Sequence, residues 1–268
     1  MTRIAHELQL PLLRSLPNNT PHRILSIDMG IRNLALCLVH IPSQSHTPQI
    51  SDWKRVTVSQ KPKSSGIIES FEPIEYAAKA YSLMKSAIDK YDPHAILIER
   101  QRYRSGGGAA VQEWTVRVNM LESMFHAVLY TLAQQRQSDF LVHSVLPRRV
   151  TQFWLTDVEE KMNARETKLA KIGVAERIIK QEEMYVDFND EAKEVSQAFN
   201  QTARREARMK LDDLADSMLQ GLAWWKWHVN RLQTVDEVLS WEKVIKKPAK
   251  SEPRRAQNKS TKKVSLLN

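Results

Sequence analysis

The stretch Ile24-Leu25-Ser26-Ile27-Asp28-Met29-Gly30 is an apolar run that predicts a buried strand ending at a glycine turn. A second stretch, Ala95-Ile96-Leu97-Ile98-Glu99, repeats this pattern and also ends in a carboxylate. A buried carboxylate without a partner costs several kcal/mol, so Asp28 and Glu99 each require one. These residues alone are equally compatible with two explanations. Either Asp28 caps its turn and Glu99 pairs with a following arginine, or both belong to a functional site.

The pattern around these two stretches alternates between short apolar runs and helical periodicity. The predicted strands are 24–29, 34–39, 53–58, 95–99 and 140–145. The predicted helices are 74–90, 111–135, 168–180 and 202–227, with an acidic loop around 187–194. We therefore expect an α/β fold: a mixed five-stranded sheet that opens with a hairpin and is flanked by helices, with extra C-terminal helices.

Composition bounds the class of protein. The chain has 268 residues, one cysteine and a net charge of +9, which excludes a disulfide scaffold and a cysteine-built zinc site. No apolar run approaches the roughly 18 residues of a membrane span, so no membrane partner is expected. Residues 243–268 carry nine Lys or Arg and one acid, and thus nearly all of the net charge. This composition predicts a disordered basic tail, serving either to bind phosphates or as a solubilising or localisation segment.

The helix predicted at 202–227 carries three acids, Asp212, Asp213 and Asp216, on a face separate from its apolar stripe. For this helix alone, a solvated acidic face is the simpler explanation. Together with Asp28 and Glu99, however, these side chains supply the all-oxygen ligands that hard divalent cations require. Two Mg²⁺ ions about 4 Å apart could activate a water and stabilise the leaving 3′ oxygen of a phosphodiester. No serine, cysteine or histidine constellation competes with this interpretation.

Three short motifs carry a resemblance to known nucleases. Residues 27–35 resemble the first strand and turn of the RNase H-like nucleases, and Ile98-Glu99-Arg100-Gln101 resembles their second acidic strand. Asp213-Leu214-Ala215-Asp216-Ser217 resembles the acidic helix of RuvC-type resolvases. The stretch 98–122, with 145–150 and 210–213, closely resembles the mitochondrial Holliday-junction resolvases of fungi, and the similarity extends over about 23–228.

The resemblance implies an RNase H-like resolvase domain over 23–242, between a 1–22 extension whose composition permits a targeting role and the 243–268 tail. It implies a mitochondrial homodimer that cuts four-way DNA junctions by paired nicks, with Mg²⁺ as the cofactor and Mn²⁺ as a substitute. The catalytic carboxylates carried over are Asp28, Glu99, Asp213 and Asp216, with Asp212 as an alternative fourth ligand. The expected DNA contacts are Arg32, Gln101, Arg102, Arg104, Arg148, Arg149 and Lys168.

Other functions compatible with these residues remain open. A nuclease for RNA–DNA hybrids would share the carboxylates, and a non-catalytic DNA-binding protein would share the basic surface. An actin- or hexokinase-type ATPase would share the Asp-x-Gly turn but needs a second glycine-rich phosphate loop, which the sequence lacks. The long helix at 111–135 is the candidate dimer interface through Trp114, Val118, Leu121, Phe125 and Leu132, or alternatively this stripe packs on the sheet.

Overall fold

The computed structural model describes residues 22–43, 45, 47–59, 71–101, 113–136, 140–156, 162–201 and 211–245, with 231–245 as backbone alone. Residues 1–21 of the predicted N-terminal extension, Arg102 and Arg104, and the tail beyond residue 245 lie outside these ranges, whereas His22 already belongs to the first strand. The chain divides into two compact units, one ending at His228 and the other beginning at Val229. The sheet and the candidate site described below belong to the first unit.

The described strands form one six-stranded sheet with the order β5-β4-β1-β2-β3-β6. These strands are β1 His22–Asp28, β2 Leu34–Ile41, β3 Gln49–Val56, β4 Ala95–Glu99, β5 Leu141–Val145 and β6 Asp187–Phe188. The β1–β2 and β2–β3 pairs are antiparallel, whereas β1–β4, β4–β5 and β3–β6 are parallel. The predicted mixed sheet is confirmed, but its count of five strands is wrong. The sixth strand has two residues, too few for a period-2 pattern, and lies where a loop was predicted.

Six helices are described, and they cover both faces of the sheet. They are α1 Pro73–Tyr91, α2 Glu113–Arg136, α3 Pro147–Trp154, α4 Ala164–Ile179, α5 Asp190–Gln201 and α6 Asp212–Ile245. Helices α3 and α5 were not predicted, since α3 spans only eight residues and α5 buries just three side chains. None of the helices in the described part of the chain is both long and apolar enough to cross a membrane.

Successive side chains of β1 point to opposite faces of the sheet and so lie in two different environments. Leu25 and Ile27 lie in the apolar core that β1 and β4 share with α1 and α2. Ser26 and Asp28 alternate with them and face α6, since the Gln220 amide on that helix donates to Ser26 Oγ at 3.0 Å. The strand end therefore carries its carboxylate on the face covered by the C-terminal helix.

The contact between α6 and the sheet requires a glycine at position 221. A Cβ there would lie 2.8 Å from Val39 Cγ2 and 3.3 Å from Ser26 Cβ. We expect Gly221→Ala to lower the free energy of unfolding by about 1–2 kcal/mol, because overpacking outweighs the gain in helix propensity. Urea denaturation measures this value. Gly173→Ala on α4 is the matched control. The nearest atom to its Cβ is the mobile end of Arg177 at 4.0 Å, so this variant should be as stable as wild type or more so. Equal stability of both variants would contradict the close approach.

Candidate active site

The register of the sheet brings the two predicted strand-end carboxylates together. Ile27 pairs with Ile98 in the parallel β1–β4 ladder, so Asp28 and Glu99 follow side by side at the same edge. Neighbouring strands are about 4.8 Å apart, and both side chains project to the same face. The two carboxyl groups are close enough to alter each other's pKa, and the backbone N–H of Met29 donates to Glu99 Oε2 at 3.4 Å.

Helix α6 adds Asp216 to this pair. Two buried hydrogen bonds hold the helix on the sheet: Trp53 Nε1 donates to the Leu214 carbonyl at 3.0 Å, and Gln220 Nε2 donates to the Ile27 carbonyl at 3.2 Å. An open cavity results. It is lined by Asp28, Glu99, Pro147, Val150, Thr151, Lys171, Asp216 and Gln220.

Burial and mutual repulsion oppose ionisation of this cluster. Burial, followed by the charges of Glu99 and Asp216, raises the pKa of Asp28 well above its ordinary value. Burial also raises the pKa of Glu99, although the hydrogen bond with Asp28 opposes the shift. Burial likewise raises the pKa of Asp216, although the charge of Lys171 opposes the shift. The cluster therefore needs protons or cations to compensate its charge.

Two lysines of α4 supply part of that compensation. Lys171 Nζ lies 2.5 Å from both carboxylate oxygens of Asp216 but donates a hydrogen bond only to Oδ2. Oδ1 of Asp216 is buried and accepts no hydrogen bond from the described residues. Lys168, which was predicted to contact DNA, forms an ion pair with Asp212.

The acids at 212 and 213, the two candidates for the fourth ligand, have different surroundings. Asp212 is buried and held by Lys168. Burial, followed by the charge of Asp212, raises the pKa of Asp213 to about 7. The charge of Asp213 also contributes to the raised pKa of Asp28. Asp213 is thus the acid of this pair that is electrostatically coupled to the strand carboxylates.

The donor set of the cluster fits a hard divalent cation, which takes carboxylate oxygens as ligands. The raised pKa of Asp28 points the same way, because a bound cation would offset a charge that burial disfavours. Within the described residues, no group of three or more His, Cys, Asp or Glu side chains is already arranged as a metal site. A bound cation would share the Asp216 carboxylate with Lys171, which already pairs with it.

None of the predicted DNA contacts that the structure describes lines this cavity. The Arg32 guanidinium stacks on the Trp114 ring, 4.7 Å from its centre. Arg148 and Arg149 lie in the first turn of α3, directly after the cavity residue Pro147, and Arg148 is exposed. Gln101, which was also predicted to contact DNA, donates from its side-chain Nε2 to Glu99 Oε2 at 2.8 Å.

Three polar residues of the cavity were not predicted from the sequence. Lys171 follows Lys168 by three residues and so shares a face of α4, a spacing that could have indicated it. Gln220 follows Asp216 by four residues on α6 for the same reason. Thr151 lies on the unpredicted helix α3 and had no comparable signal.

A hairpin-initiated mixed sheet with carboxylates on β1, β4 and the covering C-terminal helix defines the class of RNase H-like nucleases. The chain belongs to a particular family of that class, because residues 24–234 match the catalytic-domain family described as "Mitochondrial resolvase Ydc2 / RNA splicing MRS1". The resemblance predicted from the sequence is thereby confirmed.

Individual relatives agree with this assignment. The chain is 34% identical over 214 residues to "Cruciform cutting endonuclease 1, mitochondrial" of Schizosaccharomyces pombe, covering 76% of this chain and 78% of the relative. It is 23% identical over 259 residues to the Saccharomyces cerevisiae protein of the same name, covering 83% and 73%. The crystal structure of the yeast mitochondrial Holliday junction resolvase Ydc2 is similar at a TM-score of 0.58 and 30% identity, covering 78% of this chain and 79% of that structure.

Proposed function

We propose that this protein is a mitochondrial endodeoxyribonuclease that resolves four-way DNA junctions by hydrolysing phosphodiester bonds. The observation that carries the proposal is the convergence of Asp28, Glu99 and Asp216 in one cavity. The names of the relatives, a cruciform-cutting endonuclease and a Holliday junction resolvase, both mitochondrial, support the substrate and the compartment.

The cavity residues have distinct roles in this proposal. Asp28, Glu99 and Asp216 would hold divalent cations, with Asp213 as the fourth carboxylate because its charge acts on Asp28. When bound, Mg²⁺, or Mn²⁺ in its place, supplies the activation of a water and the stabilisation of the leaving 3′ oxygen. Gln220 keeps α6 on β1, so that Asp216 stays opposite Asp28.

Basic side chains around the cavity would bind the phosphates of the junction. Arg148 and Arg149 begin α3, whose Pro147, Val150 and Thr151 line the cavity, so a strand bound there lies within reach of both. Phosphate contacts fix the register of the DNA without reading its sequence. Arg32, Arg102, Arg104 and Lys168 remain predicted contacts.

The protein is proposed to act as a homodimer. The cavity holds one carboxylate cluster, whereas a four-way junction has approximate two-fold symmetry and requires two opposed cuts. Of the two alternatives for the α2 stripe, packing within its own chain holds for Val118, Leu121, Phe125 and Leu132, which are buried in the core. Of the five, only Trp114 is exposed, together with Val116 and Tyr130 on the same helix.

A comparison of substrates tests the proposed function against its alternatives. The family description also names an RNA-splicing protein, and a hybrid-specific nuclease would use the same carboxylates. We expect cleavage of a labelled immobile four-way junction in Mg²⁺, and much weaker cleavage of linear duplex and of RNA–DNA hybrid. Preferential cleavage of the hybrid would instead assign a different nuclease activity. Binding without cleavage of any of the three would assign a nucleic-acid-binding role.

A further inference from the structure

Gln101 connects the β4 carboxylate to helix α2. Its side-chain Nε2 donates to Glu99 Oε2 at 2.8 Å, and its backbone N–H donates to Glu122 Oε2 at 3.0 Å. Glu122 is half-buried near the middle of α2, on a helix whose neighbouring Leu121 is fully buried. The three residues thus form a continuous chain of hydrogen bonds from a fixed helix to the Glu99 carboxylate.

Glu122 accepts a hydrogen bond from the backbone just beyond the end of β4. The N–H of Arg100 still donates to the Val145 carbonyl of β5 at 2.8 Å, as a ladder bond would. The next backbone N–H, that of Gln101, donates to the side chain of Glu122 instead of to a neighbouring strand. The position of the Gln101 backbone, and hence of its amide, is therefore set by α2.

The orientation of Glu99 depends on this support. A glutamate at a strand end has three side-chain torsions, and the last of them is broad and weakly restricted. The Met29 N–H contact to the same oxygen is long, at 3.4 Å, so the Gln101 amide is the shorter of the two neutral contacts. Loss of that amide would leave the longer Met29 contact as the remaining neutral restraint on this oxygen among the described residues.

We propose that Glu122 is a positioning residue that, through Gln101, holds the Glu99 carboxylate in the orientation in which it binds a divalent cation. This inference rests on the proposed function, in which Glu99 is a metal ligand. Groups that orient metal ligands typically contribute 10–100-fold, by order of magnitude, to metal affinity or activity.

Three variants separate positioning from charge and from folding. Glu122→Ala removes the acceptor, Glu122→Gln keeps an acceptor oxygen but removes the charge, and Gln101→Ala breaks the chain at its other end. Glu182→Ala, at an exposed position in the turn after α4, is the matched control. Thermal unfolding verifies that each variant is folded.

The measurements are Mn²⁺ affinity of the DNA-free protein, by the electron paramagnetic resonance signal of free Mn²⁺, and the Mg²⁺ concentration for half-maximal junction cleavage. We expect Glu122→Ala and Gln101→Ala each to weaken Mn²⁺ binding about 10–100-fold and to raise the Mg²⁺ requirement similarly. Glu122→Gln and the control should stay within about threefold of wild type, because the acceptor and the cavity are retained. The double variant Gln101→Ala/Glu122→Ala should bind Mn²⁺ no more weakly than the more impaired of the two single variants, because both substitutions break the same chain of hydrogen bonds.

Each contrary result has a defined meaning. Wild-type Mn²⁺ affinity in Gln101→Ala or Glu122→Ala overturns the inference while leaving the proposed function intact. A Glu122→Gln variant as impaired as Glu122→Ala overturns it in favour of a purely electrostatic role. If Glu122→Ala does not fold, Gln101→Ala and Glu122→Gln decide the question in the same way. If the wild-type protein neither binds Mn²⁺ nor cuts, the proposed function fails first and the inference falls with it.

Discussion

Replacement of Asp28 or Asp216 by asparagine is expected to lower the rate of junction cleavage at least about 1000-fold, with junction affinity almost unchanged. Asparagine keeps the shape of the side chain but removes the charge that holds a cation. Loss of that electrostatic stabilisation costs about 4 kcal/mol, at about 1.4 kcal/mol for each factor of ten in rate. Single-turnover cleavage of a labelled junction measures the rate, and gel-shift titration without metal measures the affinity.

The stability of Asp28→Asn distinguishes lost chemistry from lost folding. Burial and the charge of Glu99 raise the pKa of Asp28 in the folded protein, so its ionised form destabilises the fold. Below the unfolded pKa of about 4 this cost is absent, and it develops as pH rises towards the folded pKa. At pH 7 without metal, Asp28→Asn should therefore be at least as stable as wild type.

Asp187→Asn is the control for these two variants, because Asp187 is exposed on β6 at the far edge of the sheet. It should cut at the wild-type rate. Cleavage by Asp28→Asn or Asp216→Asn at near the wild-type rate in Mg²⁺ would show that the assigned cavity is not the active site.

Removal of residues 246–268 is expected to weaken junction binding at least about tenfold at low salt, and to make its salt dependence shallower by a log–log slope of at least about 2. The deleted segment contains eight Lys or Arg and one acid. Each phosphate neutralised releases counterions, so loss of these charges lowers both affinity and slope. Binding isotherms at several salt concentrations give both quantities.

A full-length variant with the same eight basic residues changed to glutamine is the control for this deletion. It should behave like the truncated protein if charge rather than chain length is responsible. Both proteins should keep their preference for the junction over linear duplex, because the folded domain is expected to recognise the branch. Loss of that preference on truncation would assign branch recognition to the tail.

The parts of the fold predicted from the sequence are those whose burial leaves a pattern. β1 and β4 are buried on both faces and therefore read as apolar runs, and α1 was predicted to within one residue at each end. By contrast, β6 is too short to show alternation, and α5 buries only Ala192, Ser196 and Phe199 among its polar residues. Neither element has a signal in the sequence that distinguishes it from a loop.

The candidate site follows the same division. Asp28 and Glu99 were predictable because a carboxylate at the end of an apolar strand is costly. The contact of Lys171 with Asp216 joins residues 45 positions apart, and that of Gln220 with Ser26 spans 194. Such pairs depend on how α4 and α6 pack against the sheet, which local periodicity does not determine. The chain of hydrogen bonds from Glu122 to Glu99 likewise exists only once α2 lies beside the end of β4.

The most direct test of metal-dependent paired cleavage is the product formed from a supercoiled plasmid that extrudes a single cruciform. Two cuts within one binding event convert the plasmid to linear DNA, whereas independent cuts first accumulate nicked circles. With wild-type protein in Mg²⁺ we expect linear DNA to appear without accumulation of nicked circles, and no product in EDTA. Cleavage that persists in EDTA, or nicked circles that become linear only through a second encounter that depends on protein concentration, would contradict resolution by a metal-dependent dimer.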